Sequence, residues 1–575
     1  MFCLHGTGIG GGIVIGRAVV LESRLIDVPR YRIDASMRSR ELERLQRAMD
    51  TVRTELQALG EHLPQDAPSE SQALLDVHGM ILEDPSLAEP VREQIETHGM
   101  NAEWAFASQA EHLAAQFGQF EDAYLRERGR DVMQVADRVL KVLSGSGRVL
   151  APRAGTEPLV FVAHDISPAD MLQLKHAGGF AIDLGGTASH TAILARSMNV
   201  PVVVGLNCAS QVVRDDDWLV LDGGAGVVIV APDDAVLQEY RHRMELERLE
   251  RKKLERLIHV PSVTRDGVPI ELHANIELPA EAQQALDLGA SGIGLFRTEF
   301  LFMNRAELPG EDEQYEAYRL AVATMGGRPV TIRTLDVGAD KALAASDGAG
   351  APAVAPNPAL GQRAIRFSLA EPDIFLTQLR AILRASQHGP VRLLIPMLAH
   401  GHEVEQSLLL IGQARAQLRE RGCDVPPVAV GGMIEVPAAA LTVGLFARRL
   451  DFLSIGTNDL VQYTLAIDRA DHAVAALYDP FHPAVLRLVA QTIRAGVRAG
   501  KPVAVCGEMA GDLEATRLLL GMGLREFSMP PASLLPVKQE ILRSDASRLR
   551  ARVARLLNTD DPVRMQGALA RLRAG

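Results

Sequence analysis

Residues 451–469 read DFLSIGTNDLVQYTLAIDR, and this stretch predicts both a fold and the place of a site. The apolar run FLSIGT has the composition of a buried strand, and the polar pair Asn458 and Asp459 follows it. Seven further strand-like runs alternate with helix-like segments, as a parallel α/β architecture requires. These runs are ELHANI, GIGLFR, VTIRTLD, RLLIPML, AVGGMIE, PVAVCG and EFSM. The sequence therefore predicts a (β/α)8 barrel over residues 262–575.

Polar side chains recur at the carboxyl ends of these predicted strands. They are Arg297, Arg333 with Asp336, Glu435, Asn458 with Asp459, and Cys506. A single residue of this kind is usually a cap or a loop ion pair, and a lone cysteine is usually a core residue. Repetition on five strands favours a function, because the carboxyl ends of the strands build the active site of such barrels.

The residue types at these strand ends indicate the chemistry. Glu435 and Asp459 are hard oxygen ligands suited to magnesium, which binds one or two carboxylates together with substrate phosphate. The guanidinium groups of Arg297, Arg333 and Arg469 suit phosphate or carboxylate. We therefore expect a small anionic phosphate ester bound with magnesium.

A second candidate site lies in residues 185–205, GGTASHTAILARSMNVPVVVG. The glycine pair allows a tight turn and TAILARSM has helical spacing, which places His190 at a helix N-terminus. The dipole and free N–H groups there favour negative charge. Gly6, Gly8 and Gly11 match GxGxxG, but a strand-like run rather than a helix follows them, so we reject a dinucleotide site.

Changes of composition along the chain predict its domains. Residues 1–35 and 146–232 form an α/β domain, residues 36–145 a helical insert, residues 233–261 a charged linker helix, and residues 262–575 the barrel. A net charge of -12 disfavours nucleic acid as the main ligand, and no apolar run is long enough to span a membrane. The four scattered cysteines suggest no disulfide framework, so we expect a cytoplasmic location.

The His190 segment and residues 451–469 resemble the two signatures of the phosphoenolpyruvate-using phosphotransferases. GLFRTEFLF, TIRTLDVGADK, NPALGQRAIRFSL, GGMIEVPAAA and VCGEMAGD extend this similarity through the barrel in the order of the family. With the helical insert, the similarity covers essentially the whole chain. It is strongest to the Enzyme I family of the bacterial sugar phosphotransferase system, the phosphoenolpyruvate:protein phosphotransferases.

This resemblance implies an activity and a role for each matching residue. The enzyme would transfer the phosphoryl group of phosphoenolpyruvate (PEP) to its own histidine and then to the histidine of the phosphocarrier protein HPr, releasing pyruvate. His190 matches the phosphorylated histidine, Cys506 the proton donor, and Glu435 and Asp459 the magnesium ligands. The matching PEP-binding positions are Arg297, Arg333, Asn458, Asp459 and Arg469, with Lys341 as a further one.

The resemblance also implies an architecture and partners. The phosphohistidine α/β domain would swivel, the barrel would bind PEP and form a homodimer, and the helical insert would dock HPr. Asp76, Glu83 and Asp84 lie on or beside an apolar helical stretch and would form an acidic rim for that partner, although a charged solvated face is the ordinary interpretation.

Two other functions share parts of this pattern. Pyruvate phosphate dikinases and PEP synthases have the same histidine segment and barrel, but they need a nucleotide-binding domain where this chain has the helical insert. A non-catalytic regulatory homologue is the other alternative. The presence of Cys506, of both carboxylates and of all three arginines argues against it.

Overall fold

The computed structural model describes most of the chain. It leaves out residues 10, 22–27, 62–76, 119–122, 146–156, 167–169, 172–173, 175–176, 186–199, 303–306, 338–357, 470–473, 475–476, 560 and 574–575. The chain divides into two compact units, Met1–Glu250 and Arg251–Gly575, and each is described by itself.

Helices occupy the middle of the first unit, as the charged helical pattern predicts. They span Ala35–Met37, Arg38–Glu61, 77–83, Pro85–His98, Ala102–Gly118 and Ala123–Leu143. Their apolar faces pack into one core that contains the buried side chains of Val52, Phe106 and Val139. The carboxylate of Asp84 accepts a hydrogen bond from the Ser86 N–H at 2.8 Å and so caps the fourth of these segments.

An eight-stranded mixed sheet forms the other part of the first unit. Its strands are β1 (Phe2–His5), β2 (Thr7–Ile9), β3 (Ile13–Leu21), β4 (Leu159–Ala163), β5 (Gly179–Ile182), β6 (Val202–Val204), β7 (Trp218–Asp222) and β8 (Val227–Val230). The strand order is β1-β8-β7-β3-β4-β5-β6-β2, and β3 to β6 run parallel. The glycine-rich start leads directly into β3, which agrees with the rejection of a dinucleotide site.

Both faces of this sheet are covered. In β4, Val160 and Val162 belong to one apolar core, whereas Phe161 and Ala163 belong to another. Successive strand residues point to opposite faces, so the two cores lie on opposite sides of the sheet. The first unit also contains the short helix Ala209–Val212 and most of the long charged helix Asp234–Glu255, whose last residues belong to the second unit.

The second unit contains a closed barrel of eight parallel strands. They are β9 (Glu271–Ile276), β10 (Gly292–Phe296), β11 (Val330–Arg333), β12 (Val391–Ile395), β13 (Ala429–Ile434), β14 (Phe452–Ile455), β15 (Val503–Val505) and β16 (Glu526–Met529). Pairing of β16 with β9 closes the ring. Seven strands lie within their predicted runs and β12 begins one residue before its run, so the predicted barrel is confirmed.

Helices surround these strands. The α-helices are Glu281–Asp287, Glu311–Thr324, Ile365–Ala370, Pro372–Ala385, Gly401–Glu420, Pro437–Leu441, Val443–Ala447, Thr457–Leu465, Pro483–Ala499, Leu513–Met522, Leu534–Arg543, Ala546–Leu557 and Pro562–Arg573. Short 3-10 turns lie at Glu299–Leu301, Pro358–Leu360, Ser386–His388, Glu508–Ala510 and Pro531–Ser533. Among the described helices of the whole chain, none is long and apolar enough to cross a membrane.

Strand side chains alternate between the surrounding helices and the barrel interior. In β14, Leu453 and Ile455 join the large core beneath the helices, whereas Phe452 packs in a separate small cluster with residues of β10, β12 and β13. Cys506, which directly follows β15, belongs to the same small cluster. The residues of this small cluster therefore define the inner face of the barrel. Ser454 is two residues after Phe452 in β14, so its side chain points to the same face.

Candidate active site

Five barrel strands bring polar side chains to one mouth of the barrel. Arg297 follows β10, Arg333 ends β11, Glu435 follows β13, Cys506 follows β15, and the helix Thr457–Leu465 after β14 contains Asn458 and Asp459. In a closed barrel of parallel strands, all the carboxyl ends lie at the same end of the barrel. These residues therefore surround one opening, the mouth of the barrel.

Arg333 is a buried cation between two carboxylates. One of its terminal nitrogens contacts Glu299 at 3.0 Å and the other contacts Asp336 at 2.9 Å. Burial opposes the charge, but these carboxylates and that of Glu435 outweigh burial and raise the pKa of Arg333 above its ordinary value. The Arg333 Nε is buried without a hydrogen-bond partner among the described residues, so this donor is available to an anionic ligand.

A second arginine, which the sequence analysis missed, links two of the carboxylates. Arg363 contacts Asp336 at 2.9 Å and Asp459 at 3.2 Å. Burial lowers its pKa, yet the two aspartates raise that pKa well above the ordinary value. Arg363 also lies 3.3 Å from the hydroxyl of Tyr463, which donates a hydrogen bond to a backbone carbonyl. The motif NPALGQRAIRFSL contains Arg363, but the residue does not follow a strand, so the strand-end pattern did not find it.

Glu435 shows that this mouth suits a cation. Burial and, next, the neighbouring carboxylate of Asp459 raise the pKa of Glu435 to about 8. The Met397 N–H donates a hydrogen bond to Glu435 at 2.6 Å and holds the side chain in place. The charged side chains that interact here are the carboxylates Glu299, Asp336, Glu435 and Asp459 and the guanidiniums Arg333 and Arg363. Four carboxyl groups here accompany two guanidiniums, and a divalent cation beside Glu435 and Asp459 would stabilise the ionised form of both.

Cys506 is a protonated thiol at this mouth. Burial raises the pKa of Cys506 to about 11, so the thiol keeps its proton at neutral pH. The Sγ atom lies 3.6 Å from the carbonyl oxygen of Ile455, and the residue is only 2% exposed. The side-chain amide of Asn275 donates a hydrogen bond to the Cys506 carbonyl at 2.9 Å. The thiol is thus held in a fixed place on the inner face.

Asn458 and Arg469 lie on the side of the mouth near the end of β15. The Asn458 side chain donates to Glu508 at 3.0 Å and accepts a hydrogen bond from the Glu508 N–H at 2.8 Å. Arg469 is exposed and acts electrostatically on Tyr478, as do Glu508 and Asp459. Burial is the main reason that the pKa of Tyr478 is raised to about 12.

Arg297, which follows β10, is more accessible than Arg333. It contacts Glu277 at 2.5 Å, and about a third of its side chain remains exposed. Two other predicted residues, His190 and Lys341, lie outside the described residues, as does Asp76.

The opposite mouth contains a second polar cluster. Glu271, His273 and Glu526 place ligand-type atoms within 4.8 Å of one another. His273 is buried and lies 3.0 Å from Glu271, while Arg392 contacts Glu526 at 3.2 Å. These side chains form two pairs, Glu271 with His273 and Glu526 with Arg392. They are distinct from the predicted magnesium ligands Glu435 and Asp459.

Comparison with known families agrees with this arrangement. Residues 251–546 match the family described as PEP-utilising enzyme, PEP-binding domain. Residues 5–128 match PEP-utilising enzyme, N-terminal, and residues 155–226 match PEP-utilising enzyme, mobile domain. The chain therefore belongs to the PEP-utilising enzymes.

Within this family, the similarity extends over full length to proteins of one name. A phosphoenolpyruvate-protein phosphotransferase of Cupriavidus necator is 56% identical and covers 99% of both chains. Its counterpart in Geobacillus stearothermophilus is 39% identical over 97% of both chains. That of Bacillus subtilis is 37% identical over 97% of this chain and 98% of the relative.

Proposed function

We propose that this enzyme transfers the phosphoryl group of PEP to its own His190, and from there to the histidine of the phosphocarrier protein HPr, with release of pyruvate. The observation that carries the proposal is the barrel mouth, where buried Arg333, the carboxylates Glu435 and Asp459, and the protonated Cys506 come together. The family of the barrel and the full-length relatives support PEP as donor and a protein as acceptor.

Each group of barrel residues has a separate role in the proposed reaction. Arg297, Arg333 and Arg469 bind the phosphate and carboxylate of PEP, with Asn458 and Lys341 as further contacts. Glu435 and Asp459 hold a magnesium ion, which when bound would neutralise charge on the phosphate and enolate oxygens. Cys506 gives its proton to the methylene carbon of the pyruvate enolate, which becomes pyruvate. The raised pKa of Cys506 keeps that proton available at neutral pH.

His190 acts as the nucleophile in this proposal. A neutral imidazole attacks phosphorus, and the arginines compensate the charge of the transferred group. The sequence supports this role, because residues 185–205 place the histidine between a glycine pair and a helical pattern.

The helical insert is proposed to dock HPr. Glu83 is exposed and lies 3.4 Å from Arg53, and the neighbouring Asp84 caps a helix. Between these acidic residues and buried His78 lies Met80, which is 68% exposed. An exposed apolar side chain beside acidic groups suits a small basic partner. The sequence analysis considered only the acidic residues and did not single out Met80.

Two further parts of the proposal rest on the resemblance. The barrel unit forms a homodimer, and the enzyme works in the cytoplasm. Exposed leucines on the barrel unit, among them Leu441 and Leu477, are compatible with an interface there.

Mass spectrometry after incubation with PEP and magnesium tests the function. We expect one acid-labile phosphate on His190, formed without ATP, and none in the His190→Ala variant. His164→Ala is the matched control, because His164 is a partly exposed histidine of the same unit that pairs with Asp183. A phosphate that requires ATP would favour the dikinase alternative, and absence of any phosphate would favour the regulatory homologue.

A further inference from the structure

Ser454 is a buried polar residue on the inner face of the barrel that the proposed chemistry does not use. It lies in β14 and its Cα pairs with that of Ala504 in β15, two residues before Cys506. Side chains two apart in a strand share a face, so Ser454 and Cys506 lie on the same face of neighbouring strands. Ser454 is 1% exposed and Cys506 is 2% exposed, so water is largely excluded from both.

The Ser454 hydroxyl has no well-formed hydrogen bond among the described residues. Its interaction with the Cys506 thiol lowers the thiol pKa, against the larger, opposite effect of burial. A buried hydroxyl without a partner destabilises a protein, and most buried side-chain polar atoms have one. Alanine would fill nearly the same space without this cost, so packing alone does not explain a serine here.

The hydroxyl gains a partner when Cys506 reacts. In the resting enzyme the thiol donates toward the Ile455 carbonyl and is a weak acceptor. Proton donation breaks the S–H bond, a C–H bond forms from the enolate double bond, and the enolate oxygen becomes the carbonyl of pyruvate. Sulfur keeps the electron pair of the broken bond as a buried thiolate, which is a strong acceptor for a neighbouring O–H. Water reprotonates the thiolate after pyruvate leaves.

We infer that Ser454 is a positioning residue for the proton donor, and that its hydroxyl donates a hydrogen bond to the Cys506 thiolate formed when the enolate is protonated. The interaction is stronger in the charged state than in the resting state, which is the condition for an interaction to speed a step. This inference rests on the proposed role of Cys506.

Pyruvate formation by the full-length enzyme with PEP, magnesium and its phosphocarrier tests the inference. Hydrogen bonds to charged groups predict that Ser454→Ala lowers kcat about 10- to 100-fold with little change in KM for PEP. The same substitution should keep or raise the melting temperature, because it removes an unsatisfied hydroxyl. A structural role alone would lower the melting temperature and leave the kcat of the folded enzyme near wild type. Ser407→Ala is the matched control, because Ser407 is buried in a helix outside the strands and its hydroxyl is already bonded to a backbone carbonyl.

A double-mutant cycle separates the two roles. If Ser454 acts through Cys506, Ser454→Ala changes kcat by no more than about twofold in a Cys506→Ala background. An equal loss in both backgrounds, or a wild-type kcat for Ser454→Ala alone, would overturn the inference while leaving the role of Cys506 intact. A wild-type kcat for Cys506→Ala would overturn the proposed proton donor itself, and the role of Ser454 with it.

Discussion

At the scale of single residues, Arg363 links carboxylates that are distant in the chain. It pairs with Asp336, 27 residues away, and with Asp459, 96 residues away. Both aspartates are largely buried, so neither can rely on water to stabilise its charge. Removing one partner of a buried ion pair is far more costly than removing an exposed one.

We therefore predict that Arg363→Met destabilises the barrel unit by about 3–5 kcal/mol, because buried Asp459 loses its described cationic partner and Asp336 keeps only Arg333. Urea unfolding in the absence of magnesium measures the change. Arg366→Met is the matched control, since the Arg366 guanidinium donates only to the backbone carbonyls of Leu360 and Gly361 in its described contacts. Equal midpoints for the two variants would contradict the buried network.

His78 is a second residue whose surroundings decide its protonation state. It is fully buried, and neither ring nitrogen has a hydrogen-bond partner among the described residues. Burial, followed by the charge of Arg138, lowers the pKa of His78 from 6.5 to about 4. The folded state therefore keeps this imidazole neutral at pH values where the unfolded chain protonates it.

This shift predicts acid sensitivity in the first unit. Above pH 6.5 the histidine is neutral in both states, and the unfolded state gains stability as pH falls from 6.5 towards 4. From pH 7 to pH 5 we expect a loss of about 2 kcal/mol in unfolding free energy from this group. His78→Leu should remove that part of the pH dependence, whereas His98→Leu, at an exposed helix end, should retain it. Parallel pH profiles for wild type and His78→Leu would refute the assignment.

At the scale of elements, the segment after the linker helix packs as part of the barrel unit. Buried Lys538, in the helix Leu534–Arg543, donates a hydrogen bond to the Ile258 carbonyl at 3.0 Å. A Cβ on Gly289 would lie 2.7 Å from the same carbonyl oxygen, so the backbone is close there as well. Ile258 precedes residue 262, where the composition change predicts the barrel to begin.

A fragment that starts at residue 262 should therefore be less stable than one that starts at residue 251. Loss of the Ile258 carbonyl leaves the Lys538 ammonium without that acceptor, which costs about 1–3 kcal/mol. Thermal unfolding of the two fragments measures the difference. Lys538→Met should destabilise the longer fragment and leave the shorter one nearly unchanged. Equal melting temperatures for the two unsubstituted fragments would show that the segment adds nothing.

At the scale of the whole molecule, the two units contain different parts of the proposed chemistry. The barrel and its polar mouth lie within Arg251–Gly575, whereas His190 belongs to Met1–Glu250. The barrel has its own large apolar core, so we expect residues 251–575 to fold alone.

This division predicts binding without phosphorylation. Isolated residues 251–575 should bind PEP when magnesium is present, and mass spectrometry should find no phosphate on the fragment. Glu435→Gln keeps the size of the side chain but removes a proposed metal ligand, so its PEP binding should lose the dependence on magnesium. Calorimetry that finds no magnesium-dependent binding to the folded fragment would contradict the proposed division.

The sequence by itself determined the eight barrel strands, the polar residues at their ends and the helical character of the insert. Each is a local pattern: a strand and its last residue are recognisable from neighbours a few positions away. Family motifs then indicated the activity of the chain, and the barrel and the family membership are confirmed. The boundaries of the domains and the roles of individual residues stay predictions.

Only the tertiary structure showed which side chains share an environment. The ion pairs of Arg363, the contact of Lys538 with Ile258 and the place of Ser454 beside Cys506 join residues far apart in the chain. The packing of strands, helices and loops in the barrel unit decides these contacts, because it places residues from distant parts of the chain side by side. The tertiary structure also decides which groups are buried. A carboxyl, thiol or imidazole has a different pKa once water is removed from it, and burial depends on the packing of the whole chain.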